Sequence, residues 1–293
     1  MQRIYADLHI HIGRTRAGAP VKITAARDLT FENIAKECAA RKGIQIAGIV
    51  DCGSPAVMRE IDGLVEVGEM VELPEGGLRY RDATTILLGC ELETVEDDGA
   101  VSHHISYFPM REQLRAFVGL LHRLVTNLEL SSQRCRAPAR KLLRMAHAAG
   151  GVFVPAHAFT PHRSPYGSCV ARLAEMFGEE GIAQLAAVEL GLSADSYLAD
   201  RIAELAPLTL LSNSDAHSLP RMRGSTTSSR SRTPTSKRCS GRCGGSEGAR
   251  CWQTMGSTPA WANTTAPSAP SARSSPGCPL PCSPVPCVGT GTS

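Results

Sequence analysis

Along the first 222 residues, apolar runs and polar stretches alternate so as to predict strand, loop and helix in repeating order. Residues 4–10 (IYADLHI) read as a first strand, followed by a loop containing Gly, Arg and Pro. Phe31, Ile34, Ala35 and Cys38 fall at helical spacing and predict a helix over 30–41. Residues 44–50 (IQIAGIV) form a second strand ending at Asp51. After a helix and a Pro/Gly hairpin turn, 85–90 (TILLGC) form a third, ending at Glu91. A fourth strand spans 103–108, and helices span 112–128 and 138–149. Residues 151–156 are a strand ending at His157, and 185–190 and 208–212 are two more, separated by a helix over 194–205. Apolar runs between amphipathic helices imply a parallel sheet covered on both faces. Six or seven such units in about 220 residues predict an α/β fold with a closed βα barrel rather than an open sheet.

Composition changes abruptly after Met222. The remainder has no Ile, Phe, Tyr, Asp or His, is crowded with Ser, Thr, Pro, Gly and Arg, and holds six of the eleven cysteines. Such a stretch buries too little apolar surface to offset chain entropy, so 223–293 is expected to be a disordered, low-complexity tail and 1–222 the folded domain. Cys239, Cys243, Cys278, Cys282 and Cys287 are spaced poorly for a zinc site and have no nearby His. The tail carries eight basic residues and one acidic, a surplus of +7 against +3 for the whole chain, which leaves 1–222 at −4. A polyanion footprint on the folded part must therefore be local. No signal peptide is visible, and no stretch approaches the eighteen apolar residues of a membrane span. Cys38, Cys52, Cys90, Cys135 and Cys169 are scattered like reduced thiols, which points to the cytoplasm.

The chemistry lies at the strand ends. His9 and His11 stand at i and i+2 on one strand, so both imidazoles face one side. Asp51, Glu91, His157 and Asp215 each follow an apolar run, and Ser214-Asp215-Ala216-His217 supplies a second Asp/His pair far along the chain. In a βα barrel these ends converge on one rim, and the donor types are those that bind divalent metals.

These residues resemble the polymerase-and-histidinol-phosphatase (PHP) superfamily, whose signature is HxH near the N-terminus, a GxE strand, isolated histidines and a terminal SDAH. Here these are His9-Ile10-His11, Gly89-Cys90-Glu91, His103, His157 and Ser214-Asp215-Ala216-His217. Four stretches are similar to the endonuclease Q branch: residues 6–11 (ADLHIH), 29–34 (LTFENI), 155–161 (PAHAFTP) and 189–193 (ELGLS). The resemblance implies a distorted seven-stranded βα barrel over 1–222, two or three divalent ions, and cutting of DNA beside deaminated bases or abasic sites. It implies one ion held by His9, His11, Glu91 and Asp215, and a second by Glu91, His103 and His157. Asp51 and His217 would serve a third, weaker site. Mixed imidazole and carboxylate donors suit zinc or manganese, with magnesium as a further candidate. His9, His11, Glu91, Asp215 and His217 are the expected catalytic group.

There are departures. Asp51-Cys52 stands where many PHP proteins have Asp-His, and the loop after His11 lacks an Asp often found there. His103 is the expected ligand, with His104 on the opposite face of its strand. For substrate, Ser131, Ser132, Gln133 and Arg134 are candidates for phosphate or a flipped base. Phe159 and Tyr166 are candidates for stacking, and Glu189 for the pocket wall. A PHP phosphatase acting on histidinol phosphate or a nucleotide would use the same metals, although 55–84 and the PAHAFTP stretch favour DNA. An amidohydrolase also opens with HxH, but SDAH is foreign to it and no metal-bridging lysine is evident at a strand end. A third reading is a truncated product that binds metal poorly and is inactive.

The endonuclease Q branch continues with a sequence like REYNEF and later GLDPRLGKYH, leading to a cysteine-rich zinc module. This chain does not. Yet one permitted choice of codons for 251–270, read one base out of step, encodes LADNGLDPRLGKYHRTFCP, and the same shift over 224–230 encodes REYNEFE. The coding sequence is therefore expected to change frame near Met222. Sequencing the gene locus will show an open frame with these motifs beneath the tail, and its absence rejects the shift.

Overall fold

A computed structural model describes residues 4–192, 194–223 and 225–226. Of the expected disordered tail, Arg223 and residues 225–226 are described, and the last two pair with the first strand instead of being disordered; the tail's cysteines lie outside the described residues. The described residues form eleven strands: β1 (Tyr5–Ile10), β2 (Ile46–Ile49), β3 (Met70–Glu72), β4 (Leu78–Tyr80), β5 (Thr84–Val95), β6 (Val101–Phe108), β7 (Arg134–Cys135), β8 (Val152–Pro155), β9 (Ala187–Glu189), β10 (Thr209–Leu211) and β11 (Ser225–Thr226). The α-helices are α1 (Phe31–Glu37), α2 (Pro55–Glu66), α3 (Arg111–Leu121), α4 (Ala139–Ala148), α5 (Leu173–Ile182) and α6 (Ser196–Ala199). No helix among the described residues is long and apolar enough to cross a membrane.

Helix α1 shows how local sequence sets the elements. The Thr30 side chain accepts from the N–H of Asn33 at its start, and Phe31, Ile34 and Ala35 bury one face. The chain widens into a π-helical turn at Cys38–Lys42 and is stopped by Gly43 at φ 63°.

Strands β1, β2 and β5 run parallel, with β11 antiparallel on the outer edge of β1. From β5 onward the sheet departs from the all-parallel expectation. β5 pairs antiparallel with β6, and β6 antiparallel with β8. The cause is local: the turn from Glu96 to Ala100, closed by Glu96 N–H to Ala100 O at 2.8 Å, is far too short for a parallel crossover. β9 and β10 form a separate parallel pair. The N–H of Ala158 donates to Glu189 O (2.7 Å), and Ile10 pairs with Ala216, so the last strands return beside both β8 and β1. Glu91 consequently lies inside a twelve-residue strand, not at its end. The helix expected over 194–205 is instead α6 and a short turn at Ala203–Leu205. Tyr197 and Leu198 are exposed there, so no continuous apolar stripe supports a longer helix. The helix expected to reach 128 ends at Leu121, and Val125 bridges to Cys135 instead.

Alternate residues of the strands divide between two buried clusters. Ile86, Leu88, Cys90 and Leu92 of β5 join the larger one, with the helices. The smaller comprises Ala6, Leu8, Ile46, Val50, Leu87, Ile105, Tyr107, Val154, Ala156, Ala187 and Leu211, drawn from seven strands and their ends. We call the face bearing this cluster the inner face. Tyr107 lies across it, its hydroxyl donating to Leu8 O. Gly89 makes room for that ring, since a Cβ there would sit 2.9 Å from Tyr107 Cε1.

One irregularity positions the histidines. Ala6 and Asp7 pair with Ile46 and Ala47, but Ile10 pairs with Ile49, so Leu8 and His9 together oppose Gly48. This one-residue bulge reverses the alternation of β1. Before it, Ala6 and Leu8 face inward; after it, Ile10 and Ile12 join the outer core, which turns His9 and His11 inward. Gly48 permits the bulge, because a Cβ at that position would lie 2.5 Å from Leu8 O. Gly48→Ala is expected to cost about 1–3 kcal/mol in urea denaturation, with an unchanged m-value. Stability equal to the parent would remove Gly48 from this role.

Candidate metal centre

Above Tyr107, the inner face turns from apolar to ionisable. Glu91 and Glu93 are the inward residues of β5, and His103 is the inward residue of β6. His157 follows β8, and Asp215 and His217 follow β10. The latter segment is latched to β1: the N–H of His11 donates to Ala216 O (3.0 Å), and the N–H of Ala216 to His9 O (3.1 Å). Buried Asp7 adds a second latch, accepting from the N–H of Ser214 (3.1 Å) and from its hydroxyl (2.6 Å). Burial raises the Asp7 carboxyl above its ordinary range.

Glu91 is central. Its Oε1 lies 3.4 Å from His9 Nε2, 3.4 Å from His103 Nδ1 and 3.8 Å from His157 Nε2, while Oε2 lies 3.7 Å from His11 Nε2. Asp215 Oδ1 is 3.5 Å from His9 Nε2 and 3.3 Å from His11 Nε2, with His217 Nδ1 at 3.7 Å. Three overlapping sets result, each with donor atoms within 4.8 Å of one another: His9, His11 and Glu91; Glu91, His103 and His157; and His11, Asp215 and His217. Four of the six non-glycine residues with positive φ among the described residues are here: Ser132, His157, Arg163 and Asp215. Local backbone strain is thus concentrated at the site.

Each imidazole is held from behind. Glu189 Oε2 lies 2.9 Å from His9 Nδ1, and Glu189 also accepts from the N–H of His157 and the amide of Asn213, both at 3.0 Å. Asp51 Oδ2 lies 3.1 Å from His11 Nδ1 and accepts from the N–H of Ile12 at 2.7 Å. Glu93 Oε2 is 3.6 Å from His103 Nε2, and Thr160 Oγ1 is 3.0 Å from His157 Nδ1. Carboxylates in this position fix the tautomer and raise ligand basicity.

The donors fit divalent metal ions. His9 Nε2 is completely buried, faces two carboxylates and makes no hydrogen bond, so this nitrogen is aimed at a position that a cation would fill. The charges agree with this. Burial alone would lower His9, but Glu189 outweighs it, helped by Glu91 and Asp215, and holds the imidazole well above its usual range. Burial would likewise raise Glu91, but His103, Lys22 and His157 keep it well below the carboxylate range. Asp51 and Glu189 are depressed despite burial by His11 and His9 respectively. Protons on His9, His11 and His103 thus balance the carboxylates, and a bound cation would displace them.

One expectation for the ligands changes. Asp51 does not join His217 at a third site; it sits behind His11 and outside the pocket wall. Cys52, standing where an imidazole was missed, is fully buried with its thiol donating to Ile49 O. His104 faces the outer core as expected, stacked on Phe153 at 5.0 Å, and burial pushes it down to about 3.

Among the substrate candidates, Ser132 donates to Glu91, whereas Gln133 turns to Ser131 O. Arg134 Nε bonds to Glu93 Oε1 at 2.8 Å. Phe159 stacks on Tyr166 at 4.9 Å, and neither lines the pocket, so neither is placed to receive a base. The sequence reading overlooked Lys22, Glu93 and Arg163. The alternation Glu91-Leu92-Glu93 pointed to Glu93; Lys22 and Arg163 lie in irregular loops without a comparable signal.

Replacing the support behind His9 tests the arrangement. Glu189→Gln should weaken divalent-ion binding about 10–100-fold in chelator competition, with the melting temperature in EDTA as the folding control. Unchanged affinity would reduce Glu189 to a packing role.

Comparison with known proteins agrees with this geometry. No family model matches the chain. YqxK, an uncharacterized protein of Bacillus subtilis (strain 168), is 44% identical over 221 residues, covering 75% of this chain and 56% of the relative. The lesion-specific endonuclease PfuEndoQ of Pyrococcus furiosus superposes with a TM-score of 0.62 at 30% identity, covering 74% of this chain and 49% of that one. An endonuclease Q complex with a 27-mer duplex substrate bearing an abasic lesion at the active site gives the same TM-score and identity, covering 74% and 50%. The chain thus spans about half the length of the relatives it matches. Its histidine–carboxylate cluster, its fold and these similarities make the described chain endonuclease Q-like.

Proposed function

We propose that the chain carries the metal-dependent phosphodiesterase centre of an endonuclease acting on DNA with deaminated bases or abasic sites. One observation carries this reading: His9, His11, Glu91, His103, His157 and Asp215 meet in a single cluster of an endonuclease Q-like fold. In this reading 1–222 are the catalytic unit and 223–293 a separate tail. β1, β2, β5, β6, β8, β9 and β10 are the strands of the distorted barrel.

His9, His11, Glu91 and Asp215 would hold one divalent ion, and Glu91, His103 and His157 a second, zinc or manganese, with magnesium as a further candidate. Such ions supply Lewis-acid stabilisation of phosphoryl oxygens and lower the pKa of bound water toward about 7. Glu189, Asp51 and Glu93 orient the rings that hold them. At the rim, Glu93 pins two largely exposed arginines, Arg134 Nε at 2.8 Å and Arg163 Nε at 3.3 Å. Their remaining N–H groups are directed to backbone phosphates, a local cationic footprint on a domain that is acidic overall. Deaminated and missing bases leave the stack at least cost, which favours them at a recessed centre. Four buried thiols, Cys38, Cys52, Cys90 and Cys135, are in keeping with a reducing cytoplasm.

The test uses this chain and a version with the frame restored after Met222, each with Mn²⁺ or Zn²⁺. Substrates are uracil-, hypoxanthine- and abasic-site duplexes alongside histidinol phosphate. Nicking of lesion duplexes is expected, with Glu91→Gln losing more than the roughly 100-fold that an outer partner carries. Arg163→Ala should weaken DNA binding and reduce its salt slope by about 0.9. Phosphate release from histidinol phosphate without nicking would overturn the nuclease reading.

A further inference from the structure

Helix α4 carries a face that the metal centre does not use. Ala139, Leu142, Leu143 and Ala146 recur at helical spacing and are buried, which turns Arg140, Lys141 and Arg144 to solvent. The segment leading into the helix adds exposed Arg136, whose guanidinium donates to Arg123 O at 3.2 Å, so that Arg123, also exposed, adjoins it. Unlike Arg134 and Arg163, which Glu93 holds, none of these five cations makes an ion pair among the described residues. They gather without local compensation on a domain that is acidic overall. The patch also adjoins the rim of the pocket. Arg134 and Arg136 flank buried Cys135 and share one side of the chain. Helix α4 starts at that same end of the sheet, where Glu96, just past β5, accepts from the N–H of Ala139 at 2.9 Å.

We propose that Arg123, Arg136, Arg140, Lys141 and Arg144 form a track for the phosphate backbone of duplex DNA, engaging a flank of the substrate away from the nucleotide at the metal centre. The proposal rests on the nuclease reading above. Charge complementarity selects the partner, because guanidinium groups with several N–H donors match an array of phosphates. One turn of α4, about 6 Å from Arg140 to Arg144, spans the axial rise of roughly two nucleotides. Such contacts carry no base information, so the track binds damaged and undamaged duplex alike and leaves lesion choice to the recessed centre. Sequence-independent contacts of this kind also let a protein slide along a duplex in search of a rare site.

The test is binding of the full chain, with Mn²⁺, to a lesion-free duplex, read by fluorescence anisotropy from about 50 to about 200 mM salt. Arg140→Gln, Lys141→Gln and Arg144→Gln together should reduce the salt slope by about 2.7, or about 0.9 for each contact. The affinity gap to the parent then closes by roughly 40-fold over that range. Arg123→Gln with Arg136→Gln should reduce the slope by about 1.8. Arg140→Lys with Arg144→Lys, which keeps the charge, should retain the parent slope. Any contribution of the basic tail is common to all variants and cancels in the difference. Melting temperatures identify a variant that fails to fold, and the other Gln set then decides. Nicking of lesion duplex at saturation should be unchanged, since the track touches no reacting group; a fall there would overturn the track. Parent affinity and slope retained in both Gln sets would also overturn it and assign this face to an acidic protein. Absence of both duplex binding and nicking in the parent would instead overturn the nuclease reading, and this inference with it.

Discussion

The histidine pair faces the pocket because β1 gains a residue against β2. Leu8 and His9 both oppose Gly48, and the absence of a side chain at Gly48 lets the bulged backbone approach that closely. With regular pairing, His9 and His11 would share the outward face of Asp7, among the aliphatic side chains beneath the helices. The bulge instead keeps Leu8 inside to complete the apolar floor with Tyr107 and delivers the imidazoles just above it. It also leaves Asp7 facing outward, where it latches Ser214 and hence Asp215 and His217. A single departure from pleat alternation thus assembles both ends of the chain at one site.

Electrostatics explains why so many ionisable groups can share so little water. The inner donors Glu91 and Asp215 face imidazoles, and the imidazoles are backed by Glu189, Asp51 and Glu93. No one of these charges could be buried alone. Alternating layers of opposite sign lower the cost and fix the ring orientations before a cation arrives. Lys22 belongs to the same balance, placing one positive charge beside His11 and Glu91.

The antiparallel β5–β6 hairpin makes this layering feasible. A strand that continues past Glu91 carries Glu93 on the same face two residues on, and its partner brings His103 opposite Glu93. Glu93 therefore serves two purposes, supporting His103 inward and anchoring Arg134 and Arg163 at the rim.

Much of the centre was legible in residue order. HxH spacing, GxE at the end of an apolar run, and SDAH announced the donors, because strand periodicity and metal chemistry both restrict residue types locally. The order of strands and helices was legible for the same reason, apart from β5 running on past Glu91 and the broken helix near Tyr197. Three features were decided only by tertiary structure. The bulge depends on a contact between strands forty residues apart. The role of Asp51 depends on which side of His11 it approaches. The placement of Lys22 depends on how a loop without periodicity folds back. Sequence alone determined which groups were available to bind metal; three-dimensional packing determined which of them face the pocket, because direction and distance between remote segments leave no trace in local spacing.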